Sequence, residues 1–355
     1  SIAGSFLPVL FLIPFVGTAK TFLFLSLALG LLSLAGLVDI RFQLGATGSL
    51  LLLALLVAVT LADPAGAIKP PYLGTLIHEE QSQYNYIQVL KDGDNTLLAL
   101  NEGHAIHSVY NPNQLLTGGP WDYFMVAPLF RPNPPEAKRS LMIGLAAGTA
   151  ARELFAAYPS MGVDGVEIDP AVVAVGRKYF DMNEPGLNVI VQDGRYFLRT
   201  TSNRYDIIGV DAYHQPYIPF QLTSKEFFQE VAGHLNPGGA AIVNVGRTST
   251  DYRLVGAVAT TMLAVFDHVY EIDVDLYDNT MVVGLNGNAS IDNFIQNANA
   301  LGTASVLGQV ATISVQTGEI REATPHGLVF TDDRAPVEQV VDQMILGAAT
   351  GKEKP

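Results

Sequence analysis

Residues 140–169 read SLMIGLAAGTAARELFAAYPSMGVDGVEID, and this stretch decides the fold. SLMIGL (140–145) is an apolar run that reads as a strand. A Gly/Ala turn follows, flanked by Gly144 and Gly148, and then a helix. GVDGVEI (162–168) is a second strand. Asp169-Pro170 after it supplies an N-cap and a proline at the first helical position. Strand, turn, helix and strand in succession make the repeating unit of a parallel sheet.

The alternation continues downstream. NVIVQD (188–193) precedes a short helix, and YDIIGVD (205–211) ends at an acid. SKEFFQEVAGHL (224–235) is a helix that runs into Asn236-Pro237-Gly238-Gly239, and the strand AAIVNV (240–245) follows. HVYEIDV (268–274) and NTMVVGL (279–285) are two strands joined by a short turn containing Asp278-Asn279. The expected fold is α/β: a class I methyltransferase-like (Rossmann-like) doubly wound sheet ending in an antiparallel pair. Upstream, Tyr86 to Leu90, Thr96 to Leu100 and Ala105 to Tyr110 are short β-type runs, the first two joined by Asp92-Gly93-Asp94-Asn95. They predict a small antiparallel β domain.

The mean hydropathy is +0.27, and its excess is concentrated at one end. Residues 1–62 hold three charged side chains, Lys20, Asp39 and Arg41, between uncharged stretches at 1–19, 21–38 and 42–62. A spanning helix takes roughly 20 apolar residues. The second and third stretches meet that, and Pro8, Pro14 and Gly17 make the first a kinked or partial span. These runs predict transmembrane helices and contact with a lipid bilayer. Lys20 and Arg41 cancel in setting orientation, and Lys69 tips the following part toward the cytoplasm. A start at Ser1 inside an apolar run suggests a piece of a longer protein with more spans upstream. The expected divisions are 1–62 transmembrane, 63–70 (DPAGAIKP) linker, 71–135 β domain, 136–290 Rossmann-like domain and 291–355 C-terminal helical extension.

The net charge of −14 disfavours nucleic acid as a partner and suits cations. With no cysteine there is no disulfide, thiolate metal site or Cys nucleophile. His78, His104 and His107 have neither HxH nor HExxH spacing. They read as surface or loop residues, and no metal is expected.

In doubly wound sheets ligands bind beyond the carboxyl ends of the strands. Glu167 closes the second strand, placed to accept hydrogen bonds from ribose hydroxyls. Asp193 closes the third, before Gly194, where an adenine amino group would lie. Asp211 closes the fourth, at the reacting centre. Each acid alone reads equally as a helix N-cap or a solvated carboxylate. Three in succession behind a Gly/Ala turn point to an adenosyl site. The turn lacks GxGxxG, since Ala146 and Thr149 stand at the later glycine positions, which disfavours a dinucleotide.

These residues make the chain resemble the spermidine synthase (polyamine aminopropyltransferase) family. GLAAGTAARE (144–153), VEID (166–169), QDGRYF (192–197) and DAYHQPYIPFQLTSKEFF (211–228) are similar to its motifs in order and spacing. SQYNYIQV (82–89) and LNEGHAIHSVY (100–110) resemble its β domain, and TDDRAPVE (331–338) resembles a motif of its membrane-fused members. The resemblance implies decarboxylated S-adenosylmethionine as co-substrate, an amine acceptor of the putrescine type and a homodimer. It assigns donor binding to Gly144, Ala147, Gly148, Glu167, Ile168, Asp193 and Gly194, catalysis to Asp211, and substrate binding to Tyr84, Asp122, Tyr123, Tyr213 and His214.

Two departures stand out. Ala147 occupies the place of the acid that grips the donor's ammonium, and His214 stands near that of an acid that binds the diamine. Asp122 or Glu102 could supply a replacement charge. Loss of the donor-loop acid keeps open a transferase that uses intact S-adenosylmethionine to move a methyl or aminocarboxypropyl group. A ligand-sensing domain without catalysis is a third reading. Asp211 opposes it, because a sensor needs no proton acceptor at the reacting centre. Trp121, with Tyr123 and Phe124, reads either as an aromatic wall for an alkyl chain or as packing.

Overall fold

A computed structural model describes residues 6–8, 12–13, 18–39, 54, 69–101, 105–134, 136–214, 216–274, 276–317 and 320–350. The second apolar stretch forms helix α1 (Thr18–Asp39). Among the described residues no helix is long and apolar enough to cross a membrane. The expected placement as a multi-pass membrane protein with a cytoplasmic part is corrected on that finding. Most of stretches 1–19 and 42–62, the greater part of linker 63–70, Glu102 and His104 lie outside the described residues.

Four antiparallel strands form the small sheet in the order β1 (Thr75–Gln81), β2 (Tyr86–Asp92), β3 (Asn95–Leu100) and β4 (Ile106–Tyr110). Three of them follow the sequence pattern. β1 is an addition: His78, Glu79, Glu80 and Gln81 make TLIHEEQ polar enough to hide the strand signal. A 3-10 segment (Pro120–Phe130), buried along its whole length, joins this sheet to the larger one.

The larger sheet has the order β12-β10-β11-β9-β8-β5-β6-β7. Its parallel half comprises β5 (Arg139–Ile143), β6 (Gly162–Glu167), β7 (Leu187–Val191), β8 (Tyr205–Val210) and β9 (Leu235–Gly246). β10 (His268–Val274) and β11 (Asn279–Leu285) add an antiparallel pair, and β12 (Ile320–Glu322) extends that edge. Asn236-Pro237-Gly238-Gly239, expected between the helix and the strand, lies inside β9, with a register shift between Tyr205 and Ile207 on β8.

Both faces of the parallel half are covered, so its strands are apolar without alternation. Ile207, Ile208 and Val210 on β8 are all buried. One core packs the 3-10 segment and helices α2 (Thr149–Ala157), α7 (Ile291–Leu301) and α8 (Val306–Gln316) against one face. The other packs Phe227, Phe228 and, from α6 (Arg253–Leu263), Val258 against the opposite face. Local capping fixes the connections. Asp169 accepts from Ala171 N–H at the start of α3 (Pro170–Tyr179), and Ser224 accepts from Phe227 N–H at the start of α5 (Lys225–Gly233). Asp193 does the same for α4 (Gly194–Thr200).

The chain leaves β5 toward β6 and β7, then returns to the other side of β5 as β8. The crevice beyond β5 and β8 is therefore the topological switch point, where ligands of open α/β sheets bind.

Candidate active site

The turn after β5 is held by backbone bonds from Gly144 N–H and Leu145 N–H to the Val166 carbonyl. Gly144 has φ +87°, and a Cβ there would stand 2.5 Å from the Asp211 carbonyl oxygen. Glycine is required on both counts. Ala146 also takes a left-handed φ, +48°, which aims its N–H at Glu167 Oε2, 2.9 Å away. Glu167 Oε1 accepts from Asp169 N–H at 3.1 Å. Burial raises the Glu167 carboxyl above its ordinary pKa, and these backbone donors pull it back.

Two cavities open at this switch point. The first, about 170 Å³, is lined by Gly144, Glu167, Ile168, Asp193 and Gly194, with Tyr84 and His214 at exposed positions. Asp193 is also the helix cap described above, through Tyr196 N–H at 2.8 Å. Gly194 brings α4 against Ile143, whose Cγ2 a Cβ would strike. The second cavity, about 430 Å³, is walled by Tyr72, Trp121 and Tyr277 on one side and Leu254, Val341 and Met344 on another. Trp121 and Tyr277 meet edge to face at 6.1 Å. Val341 and Met344 come from α9 (Val337–Thr350), which Tyr217, in the loop after β8, holds by donating to Asp342 Oδ1 at 2.7 Å.

Among the described residues, four line both cavities: His107, Ala146, Asp211 and Tyr213. Asp211 follows β8, its backbone N–H bound to the Ile143 carbonyl at 2.8 Å. Its Oδ1 accepts from Asn244 Nδ2 at 2.8 Å, and the Trp121 side chain hydrogen-bonds to it as well. Burial pushes the carboxyl up to about 7, against the opposing pull of Asn244 and Trp121. A group that titrates near neutrality beside two cavities suits proton transfer. Tyr213 accepts from Gly246 N–H at 2.8 Å and donates to the Asn244 carbonyl at 2.9 Å. Its phenol is raised by burial and fixed as a strut.

Four expected residues line neither cavity. Ala147 is fully buried among Ile87, Val89, Leu98 and Phe180, with its N–H on Ser108 Oγ. Gly148 caps α2 at φ +87°, where a Cβ would strike Met182. Asp122 accepts from Thr117 N–H, Thr117 Oγ1 and Gly118 N–H. Tyr123 is packed in the core. The tight 3-10 winding turns Trp121 to the cavity and Asp122 and Tyr123 inward. Asp122 also approaches the buried Glu153, whose carboxyl is raised well above its ordinary pKa, chiefly by burial.

Asn244, His107 and Tyr277 are site residues that sequence reasoning missed. Asn244 carried a signal, as the single polar residue in AAIVNV. His107 carried none, and it stands in a cavity wall, not on the surface. His78, by contrast, lies tilted against Tyr179, ring centroids 5.3 Å apart.

The sequence model for the spermine/spermidine synthase domain matches residues 125–282. A "Probable polyamine aminopropyl transferase" of Bifidobacterium longum is 33% identical over 294 residues, covering 77% of this chain. The chain spans 65% of that relative's length. A polyamine aminopropyltransferase of Vibrio vulnificus is 30% identical over 219 residues, covering 59% of this chain and 71% of the relative. In fold, the chain is similar to a probable spermidine synthase from Corynebacterium glutamicum, with a TM-score of 0.53 and 20% identity over 72% of this chain and 92% of that one.

Proposed function

The chain belongs to the spermine/spermidine synthase family, and from that premise we propose that it transfers an aminopropyl group from decarboxylated S-adenosylmethionine to an amine acceptor of the putrescine type. The observation that carries the reading is Asp211 at the junction of two cavities, one suited to a nucleoside and one to an alkylamine.

In the smaller cavity, Glu167 retains acceptor capacity for ribose hydroxyls beyond its two backbone bonds, and Asp193 retains it for the adenine amino group. Ile168, 40% exposed, offers an apolar face for the base, with Gly194 beside it. In the larger cavity the aromatic and aliphatic walls take the carbon chain of the acceptor.

An alkylamine has a pKa of roughly 10 and arrives protonated. Asp211 takes one proton from it. The freed lone pair then forms a bond to the carbon next to the sulfonium, the carbon–sulfur bond breaks, and methylthioadenosine leaves. Before it takes that proton, the Asp211 carboxylate offsets the positive charge of the incoming ammonium. On this reading 71–135 and 136–290 are the units that close on the substrates, and 291–355 contributes α9 to the acceptor wall.

A second reading, transfer from intact S-adenosylmethionine, draws on Ala147. That residue is buried away from both cavities, so the second reading is supported by the motif position alone. The two readings separate by product. Incubation with either donor and putrescine or spermidine is expected to give methylthioadenosine from the decarboxylated donor only. Product from the intact donor alone would overturn the first reading, with adenosylhomocysteine reporting methyl transfer.

A further inference from the structure

At the junction of the cavities the polar side chains differ in how far they are already committed. Tyr213 spends its hydroxyl on Gly246 and Asn244. Asp211 keeps part of its acceptor capacity after binding Asn244 and Trp121. Among the described residues, His107 Nε2 is buried without a hydrogen-bond partner. An unpartnered buried polar atom is costly in a folded protein and calls for a use.

The backbone singles out the same residue. In the β3–β4 pairing Leu98 faces Ser108 and Ala99 faces Ile106, so His107 is the extra residue of a bulge. Bulges re-aim a side chain and are frequent beside active sites. Without this one, alternation along β4 would send residues 106 and 108 to one face and 107 to the other with ordinary partners. With it, the imidazole stands in the wall common to both cavities.

We propose that His107 Nε2 accepts a hydrogen bond from the attacking amine and thereby aims its lone pair at the donor carbon. This rests on the aminopropyltransferase reading and adds a substrate contact to it. A neutral primary amine has two N–H bonds and one lone pair. With one N–H on Asp211 and the other on His107, the lone pair has a single remaining direction. Asp211 takes the one proton released in the reaction, and His107 takes none. Burial pushes the imidazole down to about 4, so it is neutral at physiological pH and its Nε2 can accept in the tautomer protonated on Nδ1.

The test compares His107→Leu and His107→Gln with the wild-type protein, using the decarboxylated donor and a primary diamine. Donor affinity is measured separately by calorimetry, and folding by thermal melting. His107→Leu is expected to lower kcat by roughly 10- to 100-fold, with donor affinity within about threefold of wild type. His107→Gln, whose carboxamide oxygen can accept the same bond, should recover most of the loss. The difference between wild type and His107→Leu should shrink for an N-methylated amine, which has one N–H fewer. A merely structural role would leave that difference unchanged.

Equal kcat for His107→Leu and wild type would overturn the proposal. So would an unchanged difference with the N-methylated amine. If His107→Leu does not fold, His107→Gln decides: wild-type Tm with kcat reduced as far as the Leu range predicts overturns it, and near-wild-type kcat sustains it. Absence of methylthioadenosine from the wild-type protein would sink the underlying reading, and with it the role of His107. Product from wild type with no effect of the variants would sink the His107 role alone.

Discussion

Asn244 Nδ2 donates to Asp211 Oδ1 at 2.8 Å, while Asn244 Oδ1 accepts from Asn279 Nδ2 at 2.8 Å. The second bond fixes which end of the Asn244 amide faces Asp211. A donor held there favours the ionised carboxylate, partly offsetting the burial that pushes Asp211 to about 7. Asn244→Leu should therefore raise the Asp211 pKa further. In wild type, kcat/KM is expected to rise with pH through an acid limb near 7. In Asn244→Leu that limb should move to higher pH. A limb that stays in place would separate it from Asp211.

The same carboxyl makes a stability prediction. Its folded pKa, about 7, exceeds the ordinary 3.8, so between those values the folded state holds the proton that the unfolded state has lost. Stability accordingly falls as pH rises from about 4 to 7, by on the order of 3–4 kcal/mol. Asp211→Asn removes this penalty. It should melt higher than wild type at pH 8, show little difference at pH 4, and retain donor binding while losing turnover. Melting curves at the two pH values check the first part, and calorimetric donor titration the second.

Gly144→Ala meets both a positive φ and the Asp211 carbonyl. Strain of this kind costs about 1–3 kcal/mol, and relief by movement of the Asp211 backbone would displace the reacting carboxylate. The variant should lose stability in chemical denaturation and lose kcat more than donor affinity. Wild-type kcat would show that the turn yields without moving Asp211.

Arg195 joins three parts of the chain. Its guanidinium donates to Glu230 on α5, to Asp332 of the TDDRAPVE run and to the Gln221 carbonyl. Asp332 also accepts from Ser224 Oγ at 2.5 Å. The Arg195 side chain is 7% exposed, and Arg195→Ala removes charge-assisted bonds from two partly exposed carboxylates, of which Glu230 keeps Arg199 and Asp332 keeps Ser224, at a cost of roughly 1–3 kcal/mol. Burial raises Glu230, but its bonds to Arg195 and Arg199 outweigh this and hold it below its ordinary pKa; Arg195 holds Asp332 down as well. Their contribution is present above the unfolded carboxylate pKa values and is lost as pH falls through the depressed folded ones. The gap between wild type and Arg195→Ala in urea denaturation should thus be wide at pH 7 and narrow near pH 3. A gap independent of pH would show that the ion pairs do not set it.

The sequence by itself determined the alternation of strands and helices, the cap at Asp169, and the placing of Glu167, Asp193 and Asp211 at strand ends. These are local properties: hydrophobic runs, turn residues and capping groups act over a few positions. Membrane insertion was a local inference too, and the described helix did not bear it out. Tertiary structure alone decided which side chains meet at the junction. Asn244 reaches Asp211 across 33 positions because β9 lies beside β8. His107 faces the cavities because of a bulge in its pairing with β3, and Trp121, not Tyr123, faces them because the segment winds as a 3-10 helix. Ala147 turns away because the small sheet packs on the loop that carries it. Each outcome depends on register or on the contact of distant segments, and a one-residue change in either redirects a side chain.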